Sequence, residues 1–540
     1  MVHMPTAEEY AALLEALAEA KKGRENLVGE LRVVRTERDL LKEQLNKFKR
    51  QLFAAKSEKS GEAGATHQKD MFFNEAEVLG AQAQSAVEDG VDDDKDTVNV
   101  PAHKRTVKRG RKPLDPNLPR HVVRHELPES ERVCPHDGAV LQENGVVTSE
   151  QMDIIPQQLR VILHERVKYA CPCCDGGMRL AAKPAQVIPK GLFTESLLAW
   201  VITSKYMDGL PLYRQAALLG RFGGSDLSRN TLAASVVRVG QAVQPVINLL
   251  RDHVLDAPLI YGDETEIQVL KEAGRTAQSK SYMWAQMANR SGPDGTGPPI
   301  RLFAYSPSRS TEAAERLYVG VRDGTVLMTD GYEVYNKIAK AHKLVHLGCW
   351  AHCRRYFHDA MQALPKNSRG PEQLAVRFID LIAKLYRVDA LAKEAGLDHE
   401  GLKLQRQEKS TKVLKEIEDL LLANLHAVLP GSLLGKALHY MASQWSKLVA
   451  YVEDGHHPID NNACENSIRP FVVGRRNWLF ADTVGGANAS ANLYSLLETC
   501  KANGIDGYAY LRALLVALPS AETVDDFDAL LPWNLVLPAA

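Results

Sequence analysis

Residues 259–265 read LIYGDET, an apolar run of strand length that gives way to acidic and polar residues. The apolar part, Leu259–Tyr261, predicts a buried strand, and Asp263 marks its end. If the strand continued, the two-residue period would put Glu264 and Glu266 on the face opposite Asp263. Asp263 is therefore the preferred candidate for a functional carboxylate.

Four further strand-like runs follow, with helical patterns between the later ones. The ribonuclease H fold has the same order of elements: three strands, a helix, a strand, a helix and a final strand. Asp330 lies immediately beyond the fourth strand, so neighbouring strands would bring it to the same sheet edge as Asp263. The strand runs are Tyr282–Met287, Ile300–Tyr305, Val326–Met328 and Leu344–Leu347, and the helical patterns are Thr311–Tyr318 and Tyr332–Ala341.

A third carboxylate is predicted in the segment DNNACENSIRP, where Asp460 can cap a helix and Pro470 can end it. At helical spacing Asn461, Glu465 and Arg469 share a face, which flanks the acid with a polar amide and a base that can hold a phosphate. The alternative is a solvent-exposed salt bridge between Glu465 and Arg469.

Carboxylates held close together repel one another, and a divalent cation relieves that repulsion. The acids therefore predict magnesium or manganese. Two such ions, about 3.5 to 4 Å apart, can activate an attacking oxygen and stabilise a leaving oxygen at a phosphodiester. Water as the nucleophile gives strand cleavage, and a freed DNA 3′-hydroxyl gives strand joining.

Between Asp330 and Glu465 lie about 90 residues of mainly helical periodicity, far more than a usual connection within a compact domain. This length predicts a helical domain inserted into the core. Its charged stretch Lys403–Lys415 has the pattern of a solvated helix face, and guidance of DNA across the site is the alternative.

The N-terminal region has apolar residues at alternating spacings of three and four from Leu13 to Leu52. This pattern predicts a coiled coil and a homo-oligomer, with a dimer as the expected state. The alternative is one amphipathic helix that packs on its own protein.

After this region, the composition of residues 57–100 is that of a disordered linker. The basic segment that follows contains Arg109, Arg111 and Lys112 around a glycine and resembles an AT-hook, which enters a narrow minor groove. A solvated basic linker that contacts only phosphates is the alternative.

Two similar knuckles, CPHDG and CPCCDG, predict one structural zinc ion, because a C-x-x-C turn supplies two tetrahedral ligands from one loop. Buried free thiols are the alternative. The candidate ligands are Cys134, Cys171 and Cys174, with Asp137 by position or His136 by ligand chemistry as the fourth.

Residues 211–219 and 227–232 predict two helices around a glycine turn, with Ser228 as the N-cap of the second helix. A helix-turn-helix would place Arg229 and Asn230 against DNA. Two helices that simply pack together are an equal alternative.

The whole composition fits a globular protein of several domains: 540 residues, 45% hydrophobic and 25% charged. The formal net charge of -1 decides nothing about DNA, because acidic and basic residues lie in separate blocks. The sequence has no signal-peptide pattern and no apolar run of the roughly 20 residues that a membrane helix needs. We therefore expect a cytoplasmic protein without membrane contact.

Over essentially its whole length the sequence resembles the transposases of IS66-type bacterial insertion sequences. The residues that carry the resemblance are YGDET at 261–265, TDGY at 329–332, GCWAH at 348–352, PIDNN at 458–462 with Glu465, and GRRNWLF at 474–480, together with QLF at 51–53, SEK at 57–59, the knuckles, and NGID at 503–506.

The resemblance implies a DDE catalytic triad on Asp263, Asp330 and Glu465. It also implies a zinc-binding region on the three knuckle cysteines, while the fourth ligand stays open. Cys349 and His352 resemble the Cys-x-x-His signature of several DDE transposases, and we expect them to support the active site with Asn461 and Arg469 instead of binding metal directly. Arg475 and Arg476 are further DNA-binding candidates.

The expected architecture is multidomain α+β, with an N-terminal coiled coil, a small zinc-binding domain, a helical region, and a ribonuclease-H-like α/β catalytic core interrupted by a helical insertion. The expected boundaries are 7–55 for the coiled coil, 57–120 for the linker, 121–185 for the zinc-binding domain, 186–255 for the helical region, 256–355 and 456–515 for the two parts of the core, 356–455 for the insertion and 516–540 for the C-terminal segment.

The expected function is that of a DNA transposase that binds the terminal inverted repeats of an insertion sequence and catalyses metal-dependent cleavage and strand transfer into target DNA. Small accessory proteins of the same element are implied partners, and a nucleoid location is expected while DNA is bound. The alternatives are a nuclease or resolvase of the same fold that cuts without joining, and a catalytically inactive, zinc-containing DNA-binding regulator.

Overall fold

The computed structural model describes residues 158–170, 178–224 and 227–537, together with isolated positions between 19 and 140. Five of these positions lie in the predicted coiled coil and are helical: Glu19, Lys21, Arg38, Leu41 and Leu45. The remainder of that segment and the linker with Arg109, Arg111 and Lys112 lie outside the described residues. So do Cys134, Asp137, Cys171 and Cys174.

The chain divides into two compact units, one formed by residues 1–89 with 163–540 and the other by residues 90–162. Within the second unit, His136 lies in an exposed turn. Within the first, a short antiparallel hairpin joins β1 (Lys168–Ala170) and β2 (Met178–Leu180). In the part of the chain that the structure describes, no helix is both long and apolar enough to cross a membrane.

In the described residues between β2 and the main sheet lie four helices: α1 (Glu195–Tyr206), α2 (Leu212–Arg221), α3 (Arg229–Ala242) and α4 (Gln244–Leu255). The two helices predicted around the glycine turn are α2 and α3. Ser228 caps α3 as predicted, because its hydroxyl accepts a hydrogen bond from the backbone N–H of Thr231 at 3.2 Å. The amphipathic pattern thus located these helices correctly.

The main sheet has the strand order β5-β4-β3-β6-β7. Its members are β3 (Leu259–Lys271), β4 (Lys280–Ala288), β5 (Ile300–Ser306), β6 (Val326–Thr329) and β7 (Val345–Gly348). The first three are antiparallel, and β6 and β7 continue the sheet in parallel with β3. Helix α5 (Thr311–Tyr318) connects β5 to β6, and α6 (Glu333–Ala341) connects β6 to β7.

The prediction that the first strand ends at Asp263 is wrong, because β3 continues to Lys271. Its second half alternates buried Ile267 and Val269 with exposed polar residues. It also pairs with β4 as far as Gln268. Burial of one face and a complete ladder of backbone hydrogen bonds outweigh the low strand propensity of the acidic residues.

Between β7 and the returning chain lies the helical segment, formed by α7 (Trp350–Ala363), α8 (Leu374–Glu394), α9 (His399–Gln405), α10 (Thr411–Asn424) and α11 (Leu433–Val449). Its core is apolar and aromatic, with Trp350, Phe357 and Phe378 fully buried. Helices α7, α8 and α11 pack together around these side chains. The segment therefore has a core of its own.

A π-helical turn at Arg406–Ser410 joins α9 to α10 and brings one charge of the stretch 403–415 inside. Arg406 is only 2% exposed. Its guanidinium pairs with Asp389 at 2.6 Å and donates hydrogen bonds to three backbone carbonyls of residues 451–457. This part of the charged stretch is a structural clamp, not a solvated face.

The chain then forms α12 (Asn462–Trp478), β8 (Ala481–Thr483), α13 (Val484–Ala502), α14 (Gly507–Ala517) and α15 (Val524–Asp528). Pro470 lies inside α12, so the prediction that it ends this helix is wrong. Ile468, Phe471 and Gly474 are buried on either side of it, where α12 packs against β3 and β4. This packing offsets the backbone hydrogen bond that the proline cannot donate.

Helix α13 covers the edge strand β5. The hydroxyl of Ser495 accepts a hydrogen bond from the N–H of Phe303 at 2.8 Å, and the hydroxyl of Thr499 accepts one from the N–H of Arg301 at 3.0 Å. The free edge of the sheet is thereby closed by side chains of a helix.

Candidate active site

Asp263 in β3 lies opposite Asp330, which directly follows the parallel strand β6. The paired residues of β3 and β6 run to Tyr261 opposite Met328. Asp263 and Asp330 each lie two residues beyond that pair, so the same register places them opposite one another. The sheet edge predicted from the sequence is therefore formed, although Asp263 lies within its strand and Asp330 just after the end of β6.

The turn after β6 holds Asp330 in place. The backbone N–H of Tyr332 donates a hydrogen bond to Oδ1 of Asp330 at 2.9 Å. Gly331 lies against the ring of Tyr440, and a Cβ at this position would be 2.5 Å from the ring carbon Cε2. The glycine is required here because the aromatic ring approaches the backbone too closely for a side chain.

Glu465 comes from the first turn of α12 and faces two bases of α7. Its Oε1 is 3.4 Å from Nδ1 of His352, and its Oε2 is 3.6 Å from a guanidinium nitrogen of Arg355. Oε1 of Glu465 and Nδ1 of His352 are buried and, within the described part of the chain, have no hydrogen-bond partner. The ligand atoms of Cys349, His352 and Glu465 lie within 4.8 Å of one another.

Asn461 connects the start of α12 to the sheet. Its side-chain amide donates a hydrogen bond to the carbonyl of Gly262 at 3.0 Å, next to Asp263. Its backbone N–H donates to Sγ of Cys349 at 3.2 Å. These contacts position the helix that carries Glu465 against β3 and α7. A supporting role for Asn461, Cys349 and His352 remains a prediction, and the contacts favour it.

We call Asp263, Asp330 and Glu465 the acid cluster. The pKa of Asp263 is raised well above its usual value by burial and then by the charges of Glu264, Asp330 and Glu465, so the two other candidate acids are among its charged neighbours. Burial lowers the pKa of His352; Glu465 opposes this effect, and Arg355 adds to it. A lowered pKa disfavours the imidazolium form that would offset the charge of the carboxylates.

Glu264 faces the opposite side of β3, as the two-residue period predicts, but it is only 2% exposed. It accepts hydrogen bonds from Nε of Arg309 at 2.7 Å and from the hydroxyl of Tyr335 at 2.6 Å. The guanidinium of Arg309 also lies 3.7 Å from the ring centroid of Tyr332. We call Glu264, Arg309, Tyr332 and Tyr335 the rear cluster; sequence reasoning did not find it.

The remaining candidates lie in several places. Arg469 is one helical turn after Glu465 in α12 and is partly buried. Arg475 donates a hydrogen bond to the hydroxyl of Thr265 at 3.2 Å, and Arg476 beside it is exposed. Arg229 and Asn230 are exposed at the start of α3, which packs chiefly on α13 and α2. Their DNA contacts stay predictions.

Comparison with protein-family models identifies the family to which the chain is related. A model described as "Transposase IS66 family" matches residues 190–489, more than half of the chain. The chain belongs to the IS66 family of transposases. Three further models match: "IS66 C-terminal element" at residues 495–533, "zinc-finger binding domain of transposase IS66" at residues 131–175, and "Transposase C of IS166 homeodomain" at residues 40–123.

Curated proteins also match this IS66 transposase over most of its length. Uncharacterized protein y4jD of Sinorhizobium fredii is 32% identical over 427 residues, which cover 77% of this chain and 81% of the relative. Uncharacterized protein y4qI of the same organism is 33% identical over 439 residues, 79% of each chain. No solved structure matches the chain.

The family result confirms the resemblance read from the motifs and the presence of a zinc-finger region where the two knuckles were found. The family indicates an enzyme that acts on nucleic acid and a divalent metal in general terms. The relatives carry no assigned residue roles, so the catalytic and ligand residues of this IS66 transposase rest on the geometry given above.

Proposed function

We propose that the protein is a DDE transposase that cuts DNA at the ends of an insertion sequence and joins the freed 3′-hydroxyl to target DNA. The proposal is supported by the register that places Asp330 opposite Asp263, and by the influence of Asp330 and of Glu465, from a third element, on the pKa of Asp263. The strand order, with β3 between antiparallel β4 and parallel β6, supports a ribonuclease-H-like core.

A divalent cation would relieve the repulsion within the acid cluster, because the neighbouring carboxylates raise the pKa of Asp263 and Oε1 of Glu465 is buried without a hydrogen-bond partner in the described residues. Among the described residues, the ligand atoms that already lie within 4.8 Å of one another are those of Glu465 with Cys349 and His352, so the three acids would have to close around the cation. Oxygen ligands of this kind suit magnesium or manganese. One or two such ions, when bound, supply the positive charge that activates the attacking oxygen and stabilises the leaving oxygen.

The residues around the acid cluster have separate tasks in this proposal. Asp263 and Asp330 would hold the cation from the sheet, and Glu465 would hold it from α12. Asn461 fixes α12 on the carbonyl of Gly262 and so sets the position of Glu465. The half-exposed guanidinium of Arg355 is available to a phosphate beside the cluster.

The other parts of the proposal concern DNA and assembly. The zinc-finger region, with Cys134, Cys171, Cys174 and either Asp137 or His136 as ligands, would hold one structural zinc ion. Arg109, Arg111, Lys112, Arg229, Asn230, Arg475 and Arg476 are the proposed DNA contacts. We also propose self-association through residues 7–55, the domain boundaries given above, accessory proteins of the same element, and a cytoplasmic, DNA-associated location.

The test is excision and joining of a marker flanked by the inverted repeats that border the gene. Asp263→Asn, Asp330→Asn and Glu465→Gln each keep the shape of the side chain and remove its charge. We expect each to bind the ends but to lose about a thousandfold or more of cleavage and joining. Glu266→Gln, an exposed acid of the same strand, is the matched control and should keep wild-type activity.

Three outcomes would redirect the proposal. Cleavage without joining by the wild type would favour the nuclease or resolvase. Binding of the ends without any reaction would favour the inactive regulator. If only Glu465→Gln stayed active, the third ligand would lie elsewhere, and His352 and Cys349, which adjoin Glu465, would be the next residues to substitute.

A further inference from the structure

Next to the acid cluster, two tyrosines from different helices form a stack. The rings of Tyr356 in α7 and Tyr440 in α11 are 4.5 Å apart between centroids and inclined by 26°. Tyr440 lies against Gly331, the residue that follows Asp330. Tyr356 is 41% exposed. Tyr440 covers one face of the Tyr356 ring, and a large part of Tyr356 is still exposed to solvent.

The polar ends of the two rings have no structural task in the described part of the chain. Neither hydroxyl makes a hydrogen bond there, whereas the neighbouring Tyr332 and Tyr335 both donate one. Asp330 contributes to the raised pKa of Tyr356, after burial, so the ring lies within electrostatic reach of that carboxylate. An aromatic surface is thus left open beside a site of charge.

Arg355 precedes Tyr356 and connects the two features. Its side chain is 51% exposed, and its guanidinium is 3.6 Å from Oε2 of Glu465. Arg355 therefore offers a cationic group that can contact a phosphate, close to both Glu465 and Tyr356.

We propose that the Tyr356–Tyr440 stack receives an unpaired nucleobase of the DNA strand beside the phosphodiester that is cut, with Tyr356 as the stacking surface. A base inside a duplex has both faces covered by its neighbours, so only a base that has left the stack can occupy this position. Base–aromatic stacking is strong enough to hold it there and tolerates any base. This inference rests on the proposed function.

The test measures cleavage of element-end duplexes by the full-length protein in magnesium. An abasic site replaces, in turn, each nucleotide that flanks the cut phosphodiester on either strand. Tyr356→Leu keeps apolar volume but removes the aromatic face, and Tyr356→Phe keeps that face. Tyr508→Leu, at a tyrosine of similar exposure (37%) in α14, is the matched control.

On intact DNA we expect Tyr356→Leu to cut about tenfold more slowly, Tyr356→Phe to stay within about twofold of the wild type, and Tyr508→Leu to be unchanged. At one abasic position the wild type should slow to the rate of Tyr356→Leu, and Tyr356→Leu should lose nothing further. If the cleavage rate of Tyr356→Leu no longer depends on that base, the base stacks on this ring in the wild type.

The remaining outcomes separate the two proposals. If the wild type cuts and Tyr356→Leu cuts equally fast, or if its defect persists at every abasic position, the base platform is overturned while the transposase stands. If the wild type does not cut the ends at all, the proposed function fails, and the platform fails with it.

Discussion

Asp263 and Glu264 are consecutive residues of one strand, and they meet different environments on the two faces of the sheet. In the rear cluster, burial raises the pKa of Glu264, but the hydrogen bond from Tyr335 and the ion pair with Arg309 oppose this shift. In the acid cluster, Asp263 accepts a hydrogen bond from the backbone N–H of Glu264 at 2.9 Å, and its pKa is raised by burial and then by the charges of Glu264, Asp330 and Glu465. Within the described residues, Glu264 pairs with a cationic side chain and Asp263 does not.

This difference separates a structural role from the role proposed for the acid cluster. A satisfied buried charge holds the strand and the Asp330 turn in position, because Tyr332 contacts both Arg309 and Asp330. The proposed cation site predicts that the acid cluster lowers the stability of the metal-free protein and that a bound cation restores it. Four measurements test this contrast.

The largest effect is expected for Glu264→Gln. It leaves the Arg309 charge without its carboxylate, and we expect the free energy of unfolding to fall by about 3 kcal/mol, the low end for a buried pair because Arg309 is 39% exposed. Denaturant unfolding measures it. Glu266→Gln on the same strand should change little, and equal effects at the two positions would contradict the rear cluster's structural role.

Magnesium should stabilise the protein through the acid cluster. In zinc-replete protein, magnesium at about thirty times its dissociation constant should raise the free energy of unfolding by about 2 kcal/mol. Asp263→Asn, Asp330→Asn and Glu465→Gln should each remove most of this gain, measured by thermal unfolding with and without chelator. Tyr335→Phe should keep it; a gain that survives in all three acid variants would place the cation elsewhere.

Without magnesium, the pH dependence of the free energy of unfolding that Asp263 contributes should have the opposite sign from that of a carboxylate in an ordinary ion pair. The folded state raises the pKa of Asp263 above 3.8, so it binds a proton more tightly than the unfolded state does. Stability from this group is therefore greatest near pH 4 and is lost as the pH rises through the raised pKa.

Asp263→Asn should accordingly be more stable than the wild type at pH 7 by about 1 kcal/mol, and the two should converge near pH 4. Urea unfolding across this range, in chelator, measures the difference. A variant that is less stable at pH 7 would show that Asp263 is held by favourable contacts and would end its contrast with Glu264.

The smallest effect is expected for Arg355→Gln. Its pairing with Glu465 is long, at 3.6 Å, and half-exposed. We expect a change of less than about 0.5 kcal/mol in the free energy of unfolding, as for surface pairs in general. A loss above about 1 kcal/mol would mean that Arg355 already neutralises Glu465, so that the acid cluster is satisfied from within like the rear cluster.

The sequence predicted the order of the sheet elements, with α5 at the observed residues, because apolar runs and helical periodicity are local signals. It misjudged β3 because GDETE has the composition of a loop. The strand continues there through pairing with β4, which lies beyond a local window. The same holds for Pro470, which packing retains inside α12 against its local preference.

For the site, Asp330 could be proposed from the end of its strand, and Asp263 from its residue pattern although its strand continues past it, whereas Glu465 depended on helical spacing and on the family motif. The rear cluster and the tyrosine stack could not be predicted. Glu264 and Tyr335 of the rear cluster are 71 residues apart. Neither this pair nor the stacked tyrosines have a sequence spacing that distinguishes them from ordinary surface and core residues. Such contacts become visible only when the chain is folded.

The helical segment leaves the sheet and returns to it at one point. The N–H of Trp350 donates to the carbonyl of Ile459 at 3.2 Å, and the N–H of Asn461 donates to Sγ of Cys349. Because the two ends of the helical segment are tied together, the hundred or so residues between them form a closed loop. The entropic cost of closing this loop changes slowly with its length. A change of length in one of its outer loops would therefore not by itself change the register of His352 and Glu465, which lie next to this point.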